Sequence, residues 1–285
     1  DQGKDYKVED IADEYKERAQ KQRHVMVEKI SASSNELMEK YLQAPDSINP
    51  EEIRQALRKG VLANEMVPVF CGSAFKNKGV QNILDAVLTY LPAPSDLSAV
   101  QGKDIDDPEN TLSRKPEDEE PFSALAFKIQ ADQHVGKLVY VRVYSGTLKA
   151  GTYIYNSGKD KKERVSRIVQ MHANQRESLD TVFAGDIVAF VGLNSTLTGD
   201  TLCEKEKPIL LETIEFSEPV ISISIKTESK SDGDKLSKAL AKLAEEDPTF
   251  SAHTDEETSE TILSGMGELH LEIIVDRLKE EFKIN

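Results

Sequence analysis

The spacing of apolar residues changes twice along these 285 residues, and each change calls for a different kind of layer. Up to about residue 94, Ile11, Tyr15, Val25, Val27, Ile30, Leu37, Met38 and Leu42 recur at helical intervals amid Lys and Glu. From 121 to 208 the chain turns to short alternating segments, 123–130, 137–144, 153–156, 164–169 and 186–191, parted by glycine turns such as Ser145-Gly146 and Ala184-Gly185. Many short strands with such turns predict a closed β-barrel or a sandwich. From 218 the pattern reads strand, helix, strand, strand, helix, strand, the split βαβ or ferredoxin-like plan. The fold class expected is multidomain: α/β, then all-β, then α+β.

The first block contains one strand-like run, at 66–71, followed by a small-residue turn at 72–78 and a helix from about 79 to 91. Pro92 and Pro94 stop that helix. Upstream, Asn49-Pro50-Glu51-Glu52 carries a capping side chain, a proline for the first helical position and acid for the first turn. A lone strand among helices cannot make a doubly wound sheet. The block therefore reads as the tail of an α/β domain whose earlier strands lie upstream of Asp1, and the chain as a segment of something longer. The boundaries expected are 1–103, an acidic linker at 104–120, a β-barrel at 121–208 and the α+β domain at 209–285. In the third block, Leu269, Ile273, Ile274 and Leu278 are the residues expected to face inward on the last helix.

A net charge of −15 argues against nonspecific nucleic-acid binding, which needs a basic surface. The charge is uneven. Residues 104–120 hold eight acids against Arg114 and Lys115, whereas Lys159, Lys161, Lys162, Arg164 and Arg167 crowd one hairpin. Such a face is compatible with docking on structured RNA through a few contacts, but the charge cluster alone favours a solvated edge guarded by lysines. Two cysteines, Cys71 and Cys203, make neither a disulfide framework nor a metal site and fit a reducing cytoplasm. No apolar run approaches membrane-spanning length.

Three runs carry a resemblance. Val67 to Val80, with Cys71-Gly72-Ser73-Ala74-Phe75-Lys76 at its centre, is similar to the last guanine-recognition element of translational GTPases. Gly136-Lys137-Leu138, Arg142-Val143-Tyr144-Ser145-Gly146 and Val169-Gln170-Met171-His172-Ala173-Asn174 resemble the barrel that follows the GTPase domain in translation factors. Glu246-Asp247-Pro248-Thr249-Phe250 and Ser264 through Leu278 resemble the third domain of the elongation factor G family, which drives translocation on the bacterial ribosome. The likeness covers essentially all of the chain.

The resemblance implies that Gly72, Ser73, Ala74, Phe75 and Lys76 meet a guanine base, Ser73 and Ala74 through their amides and Phe75 and Lys76 as flanks. GTP or GDP and Mg²⁺ would belong to the intact parent, with none expected on this segment. The sequence has no G-x-x-x-x-G-K-[ST] phosphate loop, no Asp-x-x-Gly switch and no Asn-Lys-x-Asp element. Phosphoryl transfer depends on those parts, so no catalytic residue is assigned and hydrolysis by this segment is not expected. Arg142, Lys161, Lys162, Arg164 and Arg167 are the candidate contacts to ribosomal RNA. Gly265, Met266 and Gly267 are candidate interdomain residues, either a flexible lead-in to the last helix or a turn needing positive φ. His270-Leu271-Glu272 invites a metal or acid–base reading, but residues two apart on a helix diverge, which favours a surface or interface histidine. The implied partners are the ribosome, through small-subunit rRNA and proteins, and tRNA and mRNA indirectly, for a monomer without membrane contact. The alternatives are a ribosome-protection or recycling paralogue, and an interaction module whose nucleotide turn is a relic.

Overall fold

The computed structural model describes residues 9–132, 135–173, 175–226, 230–258 and 260–284. Asn174, the last residue of one resembling run, lies outside them. The chain divides into two compact units, Asp1–Asp96 and Leu97–Asn285.

The first unit is helical: α1 (Asp13–Ser31), α2 (Asn35–Gln43), α3 (Pro50–Leu62) and α4 (Val80–Tyr90). Asn49 caps α3 as the sequence predicts. Its side-chain oxygen accepts from the amides of Glu51 and Glu52, both at 2.9 Å, while Glu52 Oε2 accepts from the Asn49 amide at 2.8 Å. Val27, Ile30, Leu37, Ile48, Ile53 and Ala56 form one buried cluster between α1, α2 and α3. Ile11, Tyr15, Val25 and Leu42, also helically spaced, point to solvent. Arg58 ties α3 to α4, donating to the Thr89 carbonyl at 2.5 Å and pairing with Asp96 at 2.6 Å. The Ala93 amide, backed by Arg58, holds the Asp96 carboxyl below its usual range against the opposing effect of desolvation.

The strand expected at 66–71 does not form. Among the described residues of this unit the β-pairing is a single bridge, Ser73 to Lys78. A strand needs a neighbour for its amides and carbonyls, and Pro68 removes one donor of its own. With no neighbour beside it, the segment leaves Val67, Val69 and Phe70 exposed, and α4 buries no residue fully.

The second unit opens with β1 (Val100–Lys103) and β2 (Thr111–Arg114). It continues with β3 (Ser123–Asp132), β4 (Gly136–Ser145), β5 (Leu148–Lys149), β6 (Tyr153–Asn156) and β7 (Lys161–Arg164). Next come β8 (Arg167–His172), β9 (Gln175–Leu179), β10 (Thr181–Val182), β11 (Ile187–Val191), β12 (Thr201–Cys203) and β13 (Leu210–Leu211). The range read as an acidic linker contains β2, which pairs antiparallel with β1, itself paired with β13 on its other side. Backbone pairing makes this small sheet where the side chains signal only solvent.

Eight strands make one sheet in the order β7-β6-β12-β3-β4-β11-β8-β9. Among the described residues no ladder joins its edges β7 and β9, so the closed barrel expected from the turns is not detected. The segment expected to run straight through 164–169 is broken instead. Val165 bonds to Gly151 and Thr152, and the Ser166 amide donates to Val191, so the chain turns a corner from one flank of the sheet to the other. Phe122, Ile129, Val141, Ile154, Ile168, Val188, Phe190 and Leu202, drawn from across the sheet, share a single buried core. Gly146 has φ of 72° and its missing Cβ would lie 2.5 Å from the Glu120 carbonyl oxygen, so that turn admits glycine alone.

The last part is β14 (Ile221–Ile225), α5 (Lys230–Glu246), β15 (Ser251–Thr254), β16 (Thr261–Gly265) and α6 (Glu268–Glu280). The sheet is antiparallel in the order β14-β16-β15, so β16 lies between two strands joined through a helix, as the split βαβ plan requires. The strand expected after the last helix is not formed by residues 281–284, which are a turn followed by irregular backbone. Leu236, Leu240, Leu243, Phe250, Leu263, Leu271, Ile274 and Leu278 fill the core. Of the residues expected inward on α6, Ile274 and Leu278 are buried, but Leu269 is 69% exposed and Ile273 faces out beside it. The inward stripe runs 271, 274, 278, keeping Ile274 and Leu278 of the expected set and placing Leu271 inward where Leu269 and Ile273 are expected.

Candidate functional site

The turn after the unpaired 67–72 segment is well defined. Residues Ala74–Lys76 form a single 3₁₀ turn, and Asn77 and Gly79 adopt left-handed backbone with φ of 50° and 75°. The Ser73 amide donates to the Lys78 carbonyl at 2.9 Å, and the Lys78 amide returns a bond to Ser73 at 3.0 Å. Ser73 therefore uses its amide inside the turn. The Ala74 amide, at the first position of the 3₁₀ turn, has no acceptor among the described residues and lies on an exposed residue. Phe75 is fully exposed and Lys76 exposed beside it. Gly72 is required by packing, since a Cβ there would fall 2.8 Å from the Lys78 carbonyl oxygen.

The basic residues of the β-domain are not all together. Lys161, Lys162 and Arg164 lie on the edge strand β7, and Arg167 follows after the corner, at the start of β8. Arg142 sits apart on β4, between β3 and β11, with its guanidinium 5.8 Å from the Tyr144 ring centre. Lys162 lies 4.7 Å over the Tyr153 ring, and Arg164 Nε donates to the Gly151 carbonyl at 3.0 Å. Lys159 is committed to the fold: it pairs with Asp200 at 2.7 Å and donates to the Ser195 carbonyl at 2.9 Å.

The two motifs of the α+β domain meet in space. Arg277 of α6 pairs with Glu246 at the end of α5 at 2.7 Å and with Glu281 at 2.7 Å, which raises the guanidinium pKa still further, Glu281 acting most strongly. His270 bridges the same elements. Its Nδ1 accepts from the Met266 amide at 3.1 Å, so the ring proton resides on Nε2 and points at Asp247 Oδ2, 2.9 Å away. Burial works to raise the Asp247 carboxyl, but hydrogen bonds from Thr249 and the His270 contact outweigh it and hold the group below its usual range. With both ring nitrogens engaged, His270 is a structural bridge within the α+β domain, between α6 and the residue that follows α5. Neither Gly265 nor Gly267 has positive φ in the left-handed region. Gly265 is small because a Cβ would meet Leu271 at 2.8 Å and His270 at 3.0 Å; Gly267, with φ of 173°, is extended. Among the described residues no three His, Cys, Asp or Glu side chains converge as metal ligands, and no helix is long and apolar enough to cross a membrane.

Known proteins fall on these same pieces. Residues 121–205 match the family Elongation factor G domain 2, and residues 216–285 match Elongation Factor G, domain III. The chain belongs to the elongation factor G family. A crystal structure of a protein from Thermus thermophilus shares its fold with a TM-score of 0.78 at 25% identity. That likeness covers 98% of this chain and 39% of the other, so the chain spans well under half the length of that protein.

In this elongation factor G family chain, sequence reasoning missed the residues that join the two matched domains. Lys137 of β4 pairs with Glu245 at 2.9 Å, and the Ala131 amide of β3 donates to Glu246 Oε1. A signal was present. Glu245, Glu246 and Asp247 place three acids at a helix C-terminus, where the helix dipole favours cations.

Proposed function

We propose that this chain is part of a ribosome-binding translational GTPase that promotes the movement of tRNA and mRNA during elongation. The observation that carries the proposal is the order of two elongation factor G domains along one chain. The part spanned here couples nucleotide state to ribosome contacts and makes no bonds itself. Lys161, Lys162 and Arg164, lined along one sheet edge with Arg167 just beyond, supply the RNA contact, and Arg142 acts apart from them. The Ala74 amide fits a guanine O6, with Gly72 letting the backbone approach and the exposed Phe75 and Lys76 flanking the base. Ser73 serves that turn from within, by its bonds to Lys78. The triphosphate and Mg²⁺ would be held by elements this sequence does not contain, so the chain alone is expected not to hydrolyse GTP. A protein with this task works in the cytoplasm, here as a monomer.

Co-sedimentation with bacterial ribosomes over a series of salt concentrations tests the RNA contact. Replacing Lys161, Lys162 and Arg164 together by Ala should weaken binding and flatten its salt dependence, because fewer counterions are released. Unchanged binding and slope would remove these residues from the interface.

A further inference from the structure

The junction between the β-domain and the α+β domain is built on the end of α5. Three successive acids there each hold a different partner. Glu245 pairs with Lys137 of β4, whose side chain is only 15% exposed and which also donates to the Asn194 carbonyl at 3.4 Å. Glu246 is 11% exposed and divides its carboxylate: Oε1 accepts from the Ala131 amide of β3, and Oε2 accepts from Arg277 of α6. Asp247 holds His270 of α6. Beside these contacts lies a cavity of about 260 Å³ lined by Ile129, Gly136, Lys137, Asn194, Lys242 and Glu246, among others.

Acids at this end of a helix oppose the helix dipole, and a carboxylate this buried loses most of its water. A local preference broken by three residues in a row marks a place where something other than helix stability is being served. Here all three acids are satisfied, and two of them reach across to the other domain. We infer that the end of α5 is a clamp that sets the angle between the two domains, with Glu246 as its central positioning residue. One carboxylate fixes α6 and the β-domain together, so the α+β core cannot turn against β3 and β4 without breaking it. The Lys137–Glu245 pair lies beside it and supplies the charge-dependent half of the hold. The cavity gives the junction room for a second arrangement once these bonds are released. This inference stands independently of the GTPase reading.

The test is a distance measurement on the whole chain. Spin labels are attached at Ser178→Cys on β9 and Lys238→Cys on α5, both exposed, in a Cys71→Ser background with Cys203 left buried. The unaltered junction should give one narrow distance. Glu246→Ala and Lys137→Glu should each lose it, and adding Glu245→Lys to Lys137→Glu should bring it back. Circular dichroism of every variant should match the parent, placing the loss in orientation and not in folding. A narrow distance that survives both single substitutions would overturn the clamp, as would a Lys137→Glu defect that the reversed partner fails to relieve.

Discussion

Two apolar runs of similar composition meet opposite ends in this molecule. Ile187–Val191 lies between β4 and β8, with Val188, Ala189, Phe190 and Val191 buried. Met66 to Cys71 has no strand on either side among the described residues, and Val69 is 88% exposed. The helices repeat the contrast. α5 buries Leu236, Ala239, Leu240 and Leu243, whereas α4, with Ile83, Leu84, Val87 and Leu88 in its apolar set, buries none of them fully. Apolar patterning specifies a surface that must be covered, and the covering has to come from somewhere in the fold. In the second unit the chain provides it. Within the first unit Met66 packs on the helical core and Arg58 reaches the end of α4, but no described residue pairs with 67–71 as a strand and no side chain of α4 is fully buried.

The largest difference should appear in hydrogen exchange. Amides of 187–191, paired on both sides, should exchange only when the sheet opens, while amides of 67–71 should exchange close to the rate of an unstructured peptide. Comparable protection in the two runs would break the contrast. Next, Phe190→Ala should lose about 3–5 kcal/mol of stability in urea unfolding, whereas Val69→Ala should stay within about 0.5 kcal/mol of the parent. Leu240→Ala in α5 should cost about 2–5 kcal/mol, against no more than about 0.5 kcal/mol for Leu88→Ala in α4, where the side chain is 81% exposed. A large loss at Leu88 would mean that α4 is covered after all. The smallest effect is one of pH. Asp247 is held below the ordinary aspartate value of 3.8, so as pH falls the unfolded chain takes up its proton first. Its contribution is complete above that value and is lost as pH drops through the lower folded value. Urea midpoints at about pH 5 and about pH 3 should therefore fall less in Asp247→Asn than in the parent. Equal falls would remove Asp247 from the acid response of the α+β domain.

Much of this was legible in sequence. The Asn49 helix start, the strand that opens the pattern after 218 and the 153–156 strand all rest on local rules, and local rules held. Errors arose where pairing or packing decides. The 66–71 strand lacked a neighbour, the 164–169 strand turned a corner, and the β1–β2 sheet drew its third strand from residues about a hundred positions away. On α6, Leu269 and Ile273 share the helical period of the true core, and spacing alone does not say which of two adjacent stripes faces in. For the site, the Gly72–Lys76 turn could be placed from composition, but not that Ser73 spends its amide on Lys78. Lys137 and Arg277 carry no local mark. Only their shared partner, the acid run ending α5, stood out, and it stood out by violating the dipole preference.

The most direct measurement is a fluorescent-GDP titration of this chain beside a version extended upstream to its natural start. If the account is right, the extended protein binds and this chain does not, because the Ala74 turn supplies one edge of the guanine site and nothing for the phosphates. Tight GDP binding by this chain alone, or none by the extended protein, would contradict it.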